Sequence, residues 1–257
     1  MNHGKSTILG VNFDLIDFAA VLDAICLWHR DHLRRYVVIS NPHSVMMARR
    51  DPRMLSATQQ ASLVLPDGVG IILAARILGI PHHGRITGPA LMLYLCDQGR
   101  RLGLRHFFYG GTPSVVDQLA DNLRNRFPGL NVAGSFSPPF GPMDPEENRR
   151  IIDQINQTRP DIVWVGLGAP KQEIWMARHL GQIQASVLIG VGAAFDFHAG
   201  TIPWAPTWIR AIGLEWAYRI CIEPKRLWRR NLDSPRFLLG VLRHKFCRIP
   251  RPATDTL

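Results

Sequence analysis

Residues 161–176, Asp-Ile-Val-Trp-Val-Gly-Leu-Gly-Ala-Pro-Lys-Gln-Glu-Ile-Trp-Met, constrain the fold more than any other stretch of the chain. They read as a strand, a glycine turn and the opening of a helix. Ile162 to Val165 is a β-branched and aromatic run that suits a strand buried on both faces, and such strands belong to parallel sheets covered by helices. Gly166 and Gly168 permit a tight turn, and Pro170 suits the first helical position ahead of Lys171, Gln172 and Glu173. A cation in that first turn opposes the helix dipole by about 0.3–1 kcal/mol, a conflict that a bound anion would remove. An ordinary turn in which Glu173 offsets Lys171 accounts for the same residues.

The unit recurs along the chain. Strands are expected over 8–11, 36–40, 62–65, 104–109, 130–136, 162–165 and 186–191, with helices over 17–32, 45–50, 52–59, 69–78, 91–102, 114–127, 146–158 and from 170 onward. Alternation at this spacing predicts an α/β fold, a Rossmann-like parallel sheet with flanking helices. A further helix over 207–222, restarted by Pro224, would form a basic helical C-terminal appendage. The expected division is an α/β core over 1–204 and a basic, tryptophan-rich appendage over 205–257.

Charge sets that appendage apart. Of the 30 Lys and Arg and 20 Asp and Glu in the chain, 11 and four lie in 205–257, so this segment carries +7 of the net +10. Trp204, Trp208, Trp216 and Trp228 gather at the same boundary. Cations beside interfacial aromatics fit an anionic surface, either a membrane or, as the alternative reading, nucleic acid bound by the basic tail. No recognised nucleic-acid module accompanies the tail, so nucleic acid is not the expected partner. Hydrophobic residues make up 46% of the chain, enough for a substantial core. Cys26, Cys96, Cys221 and Cys247 are scattered and read as thiols of a reducing compartment. The N-terminal residues lack a signal-peptide pattern, and no apolar run reaches the roughly 18 residues of a membrane span, so a cytoplasmic protein is expected.

Candidate site residues cluster at the carboxyl ends of expected strands, where open α/β sheets bind ligands. Ser40 and Asn41 end one strand, and each also reads as a turn or cap residue. Asp67 ends the next, where it is either the cap of the following helix or a carboxylate placed for general-base work. Arg85 lies in a glycine-flanked loop and has the fork to hold a phosphate. Gly110 and Gly111 leave room for a nucleotide or merely make a tight turn. Asp196 follows the last core strand and would accept from a ribose or sugar hydroxyl or anchor its loop. Arg219, Arg226 and Arg229, spaced by seven and three, would share a helix face, as a solvated basic face also would. The dinucleotide G-x-G-x-x-G and the P-loop signatures are missing, as is an Asp-x-Asp pair to hold a divalent metal. No metal and no cofactor is therefore expected. A nucleotide diphosphate would have to be held by cationic side chains and helix N-termini.

Asn41-Pro42, Pro66-Asp67-Gly68, Arg85-Ile-Thr-Gly88, Phe108-Tyr-Gly-Gly111, Val165-Gly-Leu-Gly-Ala-Pro-Lys-Gln-Glu173, Gly213-Leu-Glu-Trp-Ala-Tyr-Arg219 and Glu223-Pro-Lys-Arg-Leu-Trp-Arg-Arg230 together resemble the WecG/TagA/CpsF glycosyltransferases. The likeness runs from about residue 7 to 232. It implies transfer of a sugar, with inversion and without metal, from a UDP-sugar to a sugar on a polyprenyl diphosphate at the cytoplasmic membrane face. By resemblance, Asp67 is the general base, Asn41 lines a sugar site, and Gly110, Gly111 and Gln172 face the UDP, beside Lys171. Arg85, Arg219, Arg226 and Arg229 would meet diphosphate, and Trp204, Trp208 and Trp216 would either anchor the appendage at the membrane or pack it on the core. Family members often carry a threonine two positions before the asparagine, where this chain has Ile39, and Ser40 is the nearby hydroxyl. The resemblance implies N-acetylmannosamine, its uronic acid or glucose as the donor sugar. Glucose for an exopolysaccharide repeat unit is the expectation, with cell-envelope glycan assembly as the wider setting.

Overall fold

The computed structural model describes residues 5–139, 141 and 143–248. The chain opens on an antiparallel hairpin, β1 (Ser6–Ile8) and β2 (Val11–Phe13), instead of the single strand expected over 8–11. Leu9 and Gly10 both take positive φ and reverse the chain inside that apolar run. There follow α1 (Phe18–Arg30), β3 (Arg35–Ser40), α2 (Pro42–Ala48), α3 (Pro52–Gln59), β4 (Leu63–Pro66), α4 (Val69–Leu78) and α5 (Gly88–Arg101). The second half runs through β5 (Arg105–Gly110), α6 (Pro113–Arg126), β6 (Asn131–Phe136), α7 (Pro145–Gln157), β7 (Ile162–Gly166), α8 (Lys171–His179), β8 (Val187–Gly190) and α9 (Ala194–Ala199). The C-terminal segment comprises α10 (Thr207–Ala211), α11 (Glu215–Ile222), α12 (Pro224–Asn231) and α13 (Asp233–Arg248). The single helix expected over 207–222 is thus broken around Gly213, which takes a left-handed φ of 80°.

Six strands form one parallel sheet in the order β4-β3-β8-β7-β5-β6. Its strands are apolar on both faces, and alternate side chains feed two separate cores. Val37, Ile39, Phe108, Trp164 and Ile189 pack on one face with residues of α1, α5, α6 and α9. Tyr36, Val38, Tyr109, Val163 and Leu188 pack on the other with the hairpin, α2, α3, α4, α7 and α8. The last helix joins that second layer. Phe237 and Val241 of α13 are fully buried there, each contributing about 1.5–3 kcal/mol by leaving water.

The topology identifies the ligand edge. From β5 the chain moves outward to β6, whereas from β7 it moves the opposite way to β8, so the strand order reverses between β5 and β7. Ligands of open α/β sheets bind outside the carboxyl ends of strands near such a reversal. Backbones meet closely at that point. A Cβ on Gly110 would lie 2.7 Å from the Gly166 carbonyl, so only glycine fits. Glycine at 111 is required by its left-handed φ of 69° and the nearness of Val115 and Phe195. Packing thus explains the Gly110-Gly111 pair.

Candidate active site

Two joined cavities open at the carboxyl edge of the sheet. The inner one, about 140 Å³, is lined by the ends of β3, β7 and β8 and is mainly polar. The outer one, about 750 Å³, is mainly apolar, with Val69, Ile72, Leu73, Trp216, Leu227 and Leu238 among its walls. Asn41, Asp67, Thr87, Glu215, Arg219 and Arg230 line both and mark their junction.

Asp67 is held there by backbone on either side. Its N–H donates to the Ser40 carbonyl at 2.9 Å, extending the pairing of β3 with β4 by one residue. The helix cap that its sequence position allows is not made. Gly68 occupies the cap position of α4 with φ 79°, and no side chain bonds the first turn. The carboxylate therefore points to the cavity instead of to the helix. Burial pushes its pKa up to about 6, the Glu215 charge adds to the rise, and a hydrogen bond from Asn41 with the charges of Arg230 and Arg219 pulls back. A carboxyl titrating near neutrality is suited to take a proton from a hydroxyl.

Asn41 caps α2, its Oδ1 accepting from the Ser44 N–H at 3.0 Å and from the Ser44 hydroxyl at 3.3 Å. Its amide nitrogen is thereby turned toward Asp67. Ser40 is buried in the strand and does not line either cavity, whereas Ile39 does. The strand alternation that puts Ile39 on the inner wall sends the next side chain to the opposite face. The hydroxyls on the wall come from Ser44 and Thr87, the latter capping α5.

Arg219 supplies positive charge from α11. Its side chain is 20% exposed, and its guanidinium lies 3.9 Å from Glu223 and 5.1 Å from the centre of the Phe197 ring, with buried Nε and Nη2 that have no hydrogen-bond partner. Arg230 of α12 completes the junction. Arg226 and Arg229 fall on α12, but their side chains lie outside the described residues. Arg85 lines the outer cavity, and its guanidinium donates to the Arg210 carbonyl.

The opening stretch divides. Pro170 sits one place outside α8, as its cap and after a cis peptide bond, instead of at the first helical position. Gln172 turns inward and lines the inner cavity, its Oε1 accepting from the Gly168 N–H at 3.1 Å and its Nε2 donating to Glu173 at 3.1 Å. Glu173 is fully buried and its pKa is raised by that burial. It faces Gln172, so it does not offset Lys171, which is exposed and lines neither cavity. Asp196, on α9, also lies off both cavity walls, and its carbonyl accepts from Thr201. Gly110 and Gly111 lie one strand away from the cavities, at the reversal point.

The sequence reading passed over Glu215, Arg230 and Trp204 as site residues. Arg230 stands on α12, across a helix break from Arg219 on α11, so no continuous helical spacing marked the two as partners. Trp204 takes the packing reading of the two that the sequence allowed. Its Nε1 donates to Glu215 at 3.1 Å, and the Arg210 guanidinium lies 3.8 Å above its ring.

An α/β fold with a raised-pKa carboxylate and two arginines, where a polar cavity meets an apolar one at the sheet's carboxyl edge, has the make-up of a group-transfer site. Comparison with known proteins gives that class a family. Residues 6–251 match the glycosyl transferase WecG/TagA/CpsF family, and the chain belongs to it. It is 32% identical over 210 residues to an N-acetylglucosaminyldiphosphoundecaprenol N-acetyl-β-D-mannosaminyltransferase of Bacillus spizizenii, covering 82% of this chain and 79% of that protein. A Staphylococcus aureus protein of the same name is 31% identical over 246 residues, 95% of this chain and 94% of its own. A Bacillus subtilis relative, also so named, is 28% identical over 218 residues, 84% and 83% of the two chains.

Proposed function

We propose that this glycosyltransferase moves a sugar from a UDP-sugar onto a sugar carried by a polyprenyl diphosphate, with inversion and without a metal ion. The observation that carries the reading is the meeting of a polar and an apolar cavity at Asp67, Arg219 and Arg230. A lipid-linked acceptor has the same division: a polar sugar, an anionic linker and an apolar chain. The names of the relatives favour N-acetylglucosamine as the acceptor sugar and N-acetylmannosamine, ahead of glucose, as the sugar transferred.

In this mechanism Asp67 takes the proton of the acceptor hydroxyl, which attacks the anomeric carbon of the donor as UDP leaves from the opposite face. Asn41 orients the carboxylate. Arg219 and Arg230 offset the diphosphate charge at the cavity junction, with Arg85 further out and Arg226 and Arg229 proposed beside them. Gln172 lines the sugar side, and the reversal point at Gly110 and Gly111 is the proposed seat of the nucleotide, where helix N-termini favour an anion. Ser40, Lys171 and Asp196 are assigned no contact with the substrate.

Among the described residues no helix is long and apolar enough to cross a membrane. The C-terminal segment nevertheless presents Trp208, Ile212, Trp216 and Trp228 at 50–68% exposure beside its cations. That pairing supports peripheral docking on the inner face of the cell membrane, since each basic residue near an anionic leaflet contributes about 1 kcal/mol. Lipid fits these exposed aromatics better than nucleic acid does. Exopolysaccharide or cell-envelope glycan assembly is the proposed setting.

The test supplies UDP-N-acetylmannosamine, UDP-glucose and other UDP-sugars with a short-prenyl N-acetylglucosaminyl diphosphate, and measures released UDP and the linkage formed. Acceptor-dependent UDP release that persists in chelator, giving an inverted linkage, is expected. Release independent of acceptor, or retention of configuration, would overturn the reading.

A further inference from the structure

The junction of the two cavities holds a second carboxylate that the transfer mechanism leaves without a role. Glu215 lines both cavities, as Asp67 does, but arrives from the other wall, at the first residue of α11. It is not a loose surface acid. Trp204 donates its indole N–H to Glu215 Oε1 at 3.1 Å, and that indole is in turn fixed by the Arg210 guanidinium over its ring at 3.8 Å, by Phe197 stacked at 6.3 Å and by the edge of His198 at 5.3 Å.

We propose that Glu215 is a positioning residue for the transfer reaction: clamped by Trp204 on the wall opposite Asp67, it sets a carboxylate against the Asp67 carboxyl and so strengthens Asp67 as a base.

The argument is one of asymmetry between two like charges in one enclosed space. Two carboxylates that share a cavity resist ionising together, and the group with better local support for its anion keeps the charge. Glu215 has that support from the indole N–H and from the positive N-terminal end of α11. Asp67 has one amide, from Asn41, and stands without a helix cap to stabilise it. The cations at the junction, Arg219 on α11 and Arg230 on α12, pull the other way on Asp67, and His43, His82, Arg76 and Arg85 line the outer cavity beyond. A negative charge on the Glu215 side of the junction makes Asp67 hold its proton more tightly. The upward displacement of its titration, to which the Glu215 charge contributes after burial, agrees with this arrangement.

This inference rests on the reading of Asp67 as the base, and the experiment separates the two. The Asp67 carboxyl is titrated by carbon NMR in the wild type, in Glu215→Gln and in Trp204→Phe, with the signal assigned by its loss in Asp67→Asn. This arm needs no substrate. The Asp67 midpoint is expected to fall by about half to one pH unit in Glu215→Gln, and by less in Trp204→Phe, which keeps the ring but not the donor. In parallel, kcat/KM for UDP-N-acetylmannosamine with the short-prenyl acceptor is followed against pH. The acid limb should move down by the same amount, and kcat on the plateau should drop about threefold to tenfold with KM little changed. A midpoint unmoved in both folded variants, or a loss confined to KM, overturns the role of Glu215. Undiminished turnover in Asp67→Asn overturns instead the assignment of the base. If Glu215→Gln does not fold, the Trp204→Phe midpoint decides alone.

Discussion

The two walls of the cavity are built by different means. The Asp67 wall is an extension of the sheet: backbone hydrogen bonds between β3 and β4 continue to the Asp67 N–H, and the strands behind it are almost wholly buried. The Glu215 and Arg219 wall belongs to short helices, and neither α10 nor α11 has a fully buried residue. That wall is held by side chains: Trp204 on Glu215, Arg85 on the Arg210 carbonyl, and Leu227, Phe237 and Val241 as its apolar pins. The sheet edge supplies a group whose position must not vary. The helical wall supplies charge and apolar surface, the pairing that the proposed lipid-linked acceptor would need.

The largest expected effect comes from the rigid wall. Asp67→Asn keeps the shape of the side chain and its contact with Asn41 but removes the proposed base. It should lower kcat by 10²–10⁴, on the order of a positioned proton acceptor, while the melting temperature stays level or rises because a buried carboxylate is relieved. In the wild type kcat/KM should fall tenfold per pH unit below about 6, since the group works only when ionised. Steady-state kinetics over pH 4.5–8 checks both statements, in a range of about three units around that midpoint. Equal losses in kcat and stability would mean that Asp67 is part of the scaffold, and the contrast between the walls would lose its chemical side.

Acid should separate the walls next. His106 is fully buried on β5, its Nδ1 accepting from Trp164 Nε1 at 3.0 Å, and desolvation lowers its pKa to about 4. The unfolded chain takes up that proton near 6.5 and the folded one only near 4, so the contribution is complete above 6.5 and is lost as pH falls toward 4. The loss amounts to about 3 kcal/mol over that window. Urea unfolding at pH 7 and pH 4.5 measures it, and a His106→Gln variant should have a flatter slope. An unchanged slope in that variant would move the acid sensitivity away from the sheet.

Much of the sheet wall was legible in the sequence, and little of the helical wall opposite it. Apolar runs closed by glycine, proline or asparagine located β3 to β8 and the polar groups at their ends, because strand burial and turn chemistry are local signals. The hairpin at Leu9 and Gly10 escaped because three-residue strands carry too short a period. Ser40 was misplaced for a stricter reason: alternation puts adjacent residues on opposite faces, and the sequence alone did not say which face holds the cavity. Glu215, held by Trp204, and Arg230 reach the Asp67 cavity only when the chain folds back over some 150 residues, a long-range juxtaposition without a local signal. Gly110 and Gly111 were legible as glycines, but their reason is the backbone of Gly166 and the side chains of Val115 and Phe195.

The smallest effect addresses how the helical wall is seated. Asp233, at the start of α13, has a side chain only 4% exposed, yet it meets Arg50 at 2.6 Å, His43 of α2 at 2.7 Å and Arg236 at 3.6 Å. Burial raises its pKa, but the hydrogen bonds from Arg50 and His43 outweigh it and hold the carboxyl below the usual carboxylate range. Asp233→Asn preserves volume and loses the charge. Charge-assisted hydrogen bonds are worth about 1.5–3 kcal/mol, and the exposure of Arg50 and Arg236 screens part of that, so a cost of about 1–2 kcal/mol and a drop of roughly 2–8 °C in Tm are expected. Where the cost falls is the sharper measurement. Hydrogen exchange should speed up in α13 and α2 while β3 and β8 stay protected, because the seat of the helical wall is loosened and the sheet is not. Protection lost evenly through the sheet would instead make the two walls one cooperative unit, with the charge at Asp233 as much a part of the core as Phe237.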